Sequence, residues 1–210
     1  WGVWAVPSNT VNAEIDQKPW GIAPAISEQI YTLEDALLFA GMQMVILRNA
    51  DVIKIACQSL LTNISACIMT EKSGGYWLQT IYYPFHYFAT YAKGTVLKTA
   101  STGPCYSCAE FDEVPYVDSL VVWNEEDQEL VIFAVNRSEE ELQKAEVDLQ
   151  DFEIQHVIES ICMTAENKKM TNMEQHDAVI PKKEKNVEIE TGRCQITLQP
   201  LSFNMVRLAV

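Results

Sequence analysis

Gly94 divides this 210-residue chain into two stretches whose apolar residues repeat with different periods, and no single layer of secondary structure satisfies both. Ahead of it, Leu33, Ala36, Leu37, Ala40, Met44 and Leu47 recur at three- and four-residue intervals, the spacing of one helix face. From Thr95 onward the period becomes two, most clearly in Ser119–Trp123 and Glu129–Val135. The polar run Asn124-Glu125-Glu126-Asp127-Gln128 between them reads as a hairpin turn. Charge follows the same division. Residues 1–100 carry six Lys/Arg against seven Asp/Glu, whereas residues 101–210 hold nearly all of the net charge of −14. Two differently built parts are expected, 1–94 and 95–210.

The first part has the rhythm of an α/β layer. Residues 5–27, with Pro7, Pro19, Gly21 and Pro24, read as a long loop. Thr32 with Asp35 three positions on forms a capping box that starts a helix of about four turns. Leu60–Met69 is short, partly β-branched and nearly uncharged, as a strand buried on both faces would be. Gly74-Gly75 breaks the chain, and Gln79–Tyr91 predicts a second helix, with Pro84 tolerated near its first turn and an end at Gly94. In the second part Ala145–Leu149, Gln155–Cys162, Val187–Ile189, Cys194–Leu198 and Ser202–Leu208 predict further short strands, the pattern of a β-sandwich. The polar stretch 162–186 is expected on the surface.

An acidic chain repels phosphate backbones, and no basic cluster interleaved with aromatics offsets that repulsion, so nucleic acid is excluded as a partner. The most apolar run, Ala36–Leu47, falls far short of the roughly 20 residues that cross a bilayer, which argues against a membrane. The sequence opens on Trp1 without a signal-type run and reads as a piece of a longer polypeptide. Six cysteines, several inside apolar runs, fit reduced thiols and a cytoplasmic setting better than a disulfide scaffold.

Few residues suggest chemistry by themselves. Cys105-Tyr106-Ser107-Cys108 has the spacing of half a zinc site, but no second CxxC or HxxxH follows, so a loop with two free thiols is the better reading. His86, His156 and His176 lack a neighbouring nucleophile and read as structural or surface residues. Glu110, Asp112 and Glu113 cluster ahead of Val114-Pro115, as solvated acids do. Trp1 and Trp4 differ, because indole faces beside a long loop suit stacking on a sugar or closing a pocket, as well as filling a core.

Several strings then stand together: Trp1-Gly2-Val3-Trp4, Tyr31-Thr32-Leu33-Glu34-Asp35-Ala36-Leu37, Asn49 to Ala56, Ile68-Met69-Thr70-Glu71, Gln79 to Phe85, Val114-Pro115-Tyr116, Phe133 to Arg137 and Pro200 to Leu208. In this order and spacing the chain resembles the C-terminal portion of glycoside hydrolase family 51, the intracellular α-L-arabinofuranosidases. The resemblance implies an α/β plus all-β fold: the C-terminal end of a TIM (β/α)8 barrel, its last units in residues 1–94, followed by a β-sandwich in 95–210. It implies a retaining exo-acting hydrolase of terminal arabinofuranosyl residues on arabinan or arabinoxylan oligosaccharides, working without a cofactor or a required metal. It also implies a homo-oligomer, a hexamer in many members.

By the same resemblance no catalytic residue lies in this chain. The nucleophilic glutamate is expected just before Trp1 and the acid/base glutamate earlier, so the isolated chain should be inactive. Trp4 matches the family's pocket tryptophan. The family has Asn where this chain has Gly2, and a substrate-binding Gln where it has Leu60. Gln58 lies two positions earlier and would face the same side of an extended strand, which makes it the candidate substitute. These two departures keep open an alternative, a diverged non-catalytic relative that binds sugar or assembles. A free-standing carbohydrate-binding module in 95–210 ranks last, since that stretch offers no aromatic row beyond Trp123 and scattered tyrosines.

Overall fold

The computed structural model describes Gly2 and residues 28–149, 151–190 and 192–210. Helix α1 (Leu33–Arg48) begins where the capping box places it. The Asp35 N–H donates to Thr32 Oγ1 at 3.2 Å, and Asp35 Oδ2 accepts the Thr32 N–H at 2.8 Å. The other two unpaired donors of the first turn reach across the chain: the N–H groups of Leu33 and Glu34 bond to the carbonyls of Met170 and Lys168, each at 2.9 Å. Leu33, Ala36, Leu37, Ala40 and Met44 are buried.

The single buried strand expected over Leu60–Met69 is two strands. β1 (Leu60–Thr62) is exposed along its length, β2 (Ala66–Thr70) is largely buried, and the two pair in parallel across a tight loop. Asn63 and Ser65 make that loop with positive φ angles of 65° and 48°, a turn that the uncharged composition concealed. β3 (Tyr76–Leu78) then pairs antiparallel with β2. Helix α2 (Tyr82–Tyr91) holds Pro84 in its first turn, as expected, and is followed by β4 (Thr95–Val96). Gly94, at φ +113°, stands between them, and a Cβ there would lie 2.1 Å from the Trp123 carbonyl oxygen. Only glycine lets the chain pass so close while turning from helix to sheet.

After a small arm of β5 (Cys105–Tyr106) and β6 (Val114–Pro115), the chain forms β7 (Val117–Asn124) and β8 (Glu129–Asn136), the predicted hairpin. Then come β9 (Gln143–Asp148), β10 (His156–Met163), β11 (Lys182–Lys183), β12 (Val187–Glu190), β13 (Arg193–Leu198) and β14 (Ser202–Ala209). A six-stranded antiparallel sheet has the order β11-β10-β14-β8-β7-β4, and a three-stranded one the order β12-β13-β9. The described chain is therefore mostly β with two helices, and no closed barrel lies within it. The five strands predicted after the hairpin all occur, within two residues of their expected ends.

Every residue of β8 is buried, so its apolar run is continuous where alternation was expected. The reason is a layer on each side. Val131, Phe133 and Val135 face α1 and α2, while Leu130, Ile132 and Ala134 face Cys194, Ile196 and Leu198 of the small sheet. On the helical side Phe88 stacks on Phe133 with ring centroids 4.2 Å apart. Stretch 162–186 is likewise not all surface. Asn172 and Val179 are fully buried, with Asn172 Nδ2 donating to Leu78 O and Val179 O and Oδ1 accepting the Val179 N–H.

Arg207 on β14 ties the layers by charge. Its Nη2 lies 2.6 Å from Glu129 Oε1, its Nη1 3.5 Å from Glu159 Oε2, and its guanidinium carbon 4.5 Å from the centroid of the Tyr91 ring. Two outcomes follow. Gly94→Ala loses about 2–4 kcal/mol in urea unfolding through strain and the carbonyl clash, while Gly103→Ala, with nothing within 4 Å of the new Cβ, stays within about 0.5 kcal/mol. Arg207→Met leaves the Glu129 carboxylate, 7% exposed, without its cation and loses about 3 kcal/mol, part of which Glu129→Gln in the same chain restores.

Candidate functional site

Gln58 sits in the extended stretch just ahead of β1, half-buried, whereas Leu60 opens β1 and is exposed. Its side-chain amide is fixed by one bond, Nε2 donating to the Ser65 carbonyl at 3.0 Å. That bond settles the amide's orientation and leaves Oε1 buried with no hydrogen-bond partner. As placed, the amide presents no accessible acceptor, because Oε1 is buried, and one of its two N–H groups is spent on the Ser65 carbonyl. Asn63 stabilises the same turn: its Oδ1 accepts the Thr70 N–H at 2.8 Å and its Nδ2 donates to Thr70 Oγ1 at 3.0 Å. Asn is among the few residues whose side chain makes a left-handed backbone tolerable.

Gln79, which sequence reasoning treated only as a helix start, holds the segment before α1 against β2. It is fully buried, its Oε1 accepts the Tyr31 N–H at 2.8 Å, and its Nε2 donates to Gln29 O at 2.8 Å and Ala66 O at 3.0 Å. Tyr31 lies beside it in the core, where burial pushes its phenol up to about 12, an effect only partly offset by the Ser65 side chain. The signal for Gln79 was present as one of two polar residues, Gln79 and Thr80, leading an aromatic-rich helix, but polarity alone does not say what it bonds.

Trp1 and Trp4 lie outside the described residues, and Gly2 is half-buried. The three histidines lie on separate elements: His86 stacks on Tyr82 within α2, His156 opens β10, and His176 stacks on Trp77 at 5.5 Å with Nε2 3.5 Å from Glu71 Oε1. Glu110, Asp112 and Glu113 are exposed on the β5–β6 arm, as are Cys105 within β5 and Cys108 beyond it. Among the described residues no three His, Cys, Asp or Glu side chains gather as metal ligands would. Nor is any described helix long and apolar enough to cross a membrane. Trp123 packs on Phe152, ring centroids 4.9 Å apart.

A cleft of about 800 Å³ opens between the outer face of α1 and the sheet edge. Leu38 and Met42 form one wall, Tyr106 and Tyr116 stand in the other, and Asp118 and Arg137 also line it. Asp118 accepts from Arg48 Nη2 at 2.5 Å and Arg137 Nη2 at 3.0 Å, joining α1 to β7 and β8.

The profile of the α-L-arabinofuranosidase C-terminal domain matches residues 1–202. The chain is 41% identical over 208 residues to the intracellular exo-α-(1→5)-L-arabinofuranosidase of Halalkalibacterium halodurans, covering 99% of this chain and 41% of that protein. It is 38% identical to intracellular exo-α-(1→5)-L-arabinofuranosidase 1 of Bacillus subtilis, again over 99% of this chain and 41% of the relative. Among solved structures, a family 51 α-L-arabinofuranosidase from Bifidobacterium longum superposes with a TM-score of 0.85 at 28% identity, covering 99% of this chain and 40% of that one. The chain thus spans about two fifths of the length of these relatives.

Replacing Gln79 tests the local geometry. Gln79→Leu strands the buried Tyr31 N–H and costs about 2–4 kcal/mol. The Tyr31 amide should then exchange with deuterium at least about tenfold faster than in the native chain.

Proposed function

The chain belongs to the family 51 α-L-arabinofuranosidases, whose C-terminal domain it matches, and from that membership we propose that it is part of a retaining exo-acting α-L-arabinofuranosidase. The observation that carries this is 41% identity to an exo-α-(1→5)-L-arabinofuranosidase over 99% of the chain. In this reading residues 1–94 are the last βα units of a TIM barrel and 95–210 the sandwich behind it. The exposed apolar side chains of Leu38, Met42 and Val45 on α1, and of Leu60, Leu61 and Ile64 around β1, support it, because a barrel's remaining elements would cover such a face.

Retaining hydrolysis needs two carboxyl groups roughly 5–5.5 Å apart, one to protonate the leaving oxygen and one to attack the anomeric carbon. Both would come from outside this chain, the nucleophile from the glutamate ahead of Trp1. By the resemblance Trp4 would close the pocket with its indole face, and Gln58 would take the place of the family's substrate-binding Gln once its side chain turns out of the burial that hides Oε1. The substrates are terminal arabinofuranosyl groups of arabinan or arabinoxylan oligosaccharides. The intracellular names of the relatives support action in the cytoplasm, and the family resemblance supports a homo-oligomer, which is a hexamer in many members.

Gly2 and Leu60 favour a second reading, a relative that keeps the sugar pocket and has lost turnover. One experiment separates the two. The parent polypeptide should hydrolyse 4-nitrophenyl α-L-arabinofuranoside, the present chain alone should not, and replacing the glutamate before Trp1 by Gln should lower kcat by at least about 10³. Arabinose binding without hydrolysis by the parent would favour the second reading, and activity that survives the Glu→Gln change would overturn the first.

A further inference from the structure

Gly41 stands at the middle of α1 without a local reason. Its backbone is not left-handed, and a Cβ there would meet nothing within 4 Å. Glycine inside a helix lowers its stability relative to alanine, so the described chain itself gains nothing from it. Gly41 lines the cleft between α1 and the sheet edge, with Leu38 and Met42 beside it. Leu38, Met42 and Val45 follow one another at four- and three-residue steps, 44%, 38% and 45% exposed, and form one apolar ridge along the helix. A ridge of that spacing is what a second helix packs against, and a glycine beside it is where the second backbone can come closest.

The opposite wall decides what the second helix carries. Tyr106 and Tyr116, ring centroids 5.0 Å apart, stand at the base of the β5–β6 arm. The two cations that line the cleft are already taken, Arg137 by Asp118 at 3.0 Å and Lys168 by Glu139 at 2.5 Å. Glu140 and Glu141 also line it, are exposed, and make no ion pair among the described residues. Unpaired carboxylates and tyrosine faces both attract Lys and Arg. A second copy of this chain, with a net charge of −14, brings the wrong sign.

Resting on the reading of the chain as part of a longer hydrolase, we propose that a helix of the parent polypeptide ahead of Trp1 lies in this cleft. It crosses α1 at Gly41, with its apolar side on Leu38, Met42 and Val45 and its Lys/Arg side toward Glu140, Glu141 and the two tyrosines. The length for such a helix exists in the relatives, since the chain covers 41% of the Halalkalibacterium halodurans protein. The β5–β6 arm then clasps a helix of the other part, and the cleft is a seat for the parent's own polypeptide.

The test uses the parent polypeptide with photo-methionine in place of methionine. Irradiation should cross-link residue 42 to a segment ahead of Trp1 that carries more Lys and Arg than Asp and Glu, and a mixture of isotope-labelled and unlabelled parent should give only same-label products. A cross-link to an acidic segment, to another part of residues 1–210 or to a second copy would overturn the proposal, as would no cross-link from residue 42. Gly41→Leu gives a second readout with opposite signs. It should raise the melting temperature of the present chain, where the new side chain meets open space, by about 2–4 °C. In the parent it should lower the melting temperature by at least about 2 °C, because the seat is overfilled, and an unchanged or raised value would overturn the proposal. Hydrolysis of 4-nitrophenyl α-L-arabinofuranoside by the same parent tests the underlying reading separately. An active parent whose residue 42 cross-links elsewhere loses this proposal alone, and an inactive parent with the expected cross-link keeps it.

Discussion

Burial of β8 on both faces is the constraint around which the rest is arranged. A strand with eight buried residues needs a layer above and a layer below, and neither the helices nor the small sheet could stay apolar on one side without it. Each fully buried Val, Leu, Ile or Phe in such a strand contributes about 1.5–3 kcal/mol relative to exposure, an upper figure because the unfolded chain already hides some surface. The hairpin to β7 and the pairing with β14 give β8 its full backbone hydrogen bonding, so the apolar gain is not offset by stranded amides.

Three buried amide side chains inside this arrangement act as fasteners between segments. Asn136, at the end of β8, donates to the carbonyls of Glu141, Leu198 and Gln199 and accepts the Ser138 N–H, tying the two sheets at one corner. Gln79 and Asn172 do the same for the segment before α1 and for the stretch after β10. Uncharged amides suit these places because each offers both donors and an acceptor without the cost of burying a charge. Charge enters at Asp35, which caps α1, and at Glu129, whose partner Arg207 is met by two carboxylates and an aromatic face.

Much of this was legible in the sequence because it depends on local pattern. The Thr32–Asp35 box, Pro84 at a helix start, the hairpin turn and the strand spacing after Gly94 each leave a signature within a few residues. What escaped depends on partners far away in sequence. Leu60–Met69 looked like one buried strand because its residues are apolar, and only tertiary packing leaves β1 exposed and forces Asn63 and Ser65 into the left-handed region. Stretch 162–186 looked solvated because it is polar, yet Asn172 is spent entirely on buried backbone. Of the candidate site, Gln58 was named from the resemblance, but the bond that fixes its amide was not legible, since that is decided by the Ser65 carbonyl seven residues on. Trp4 rests on resemblance alone.

The start of α1 has a consequence in time. Two of its first amides are capped by the carbonyls of Lys168 and Met170, and its Glu34 side chain is paired with Lys169, some 135 residues further on. At about 5–20 residues per second of synthesis, that cap leaves the ribosome about 7–27 s after the helix it completes. Through that interval the helix has only Thr32 and Asp35 to hold its first turn. A chaperone that binds short apolar helices would find its window here, and the window closes only when the stretch between β10 and β11 has been made.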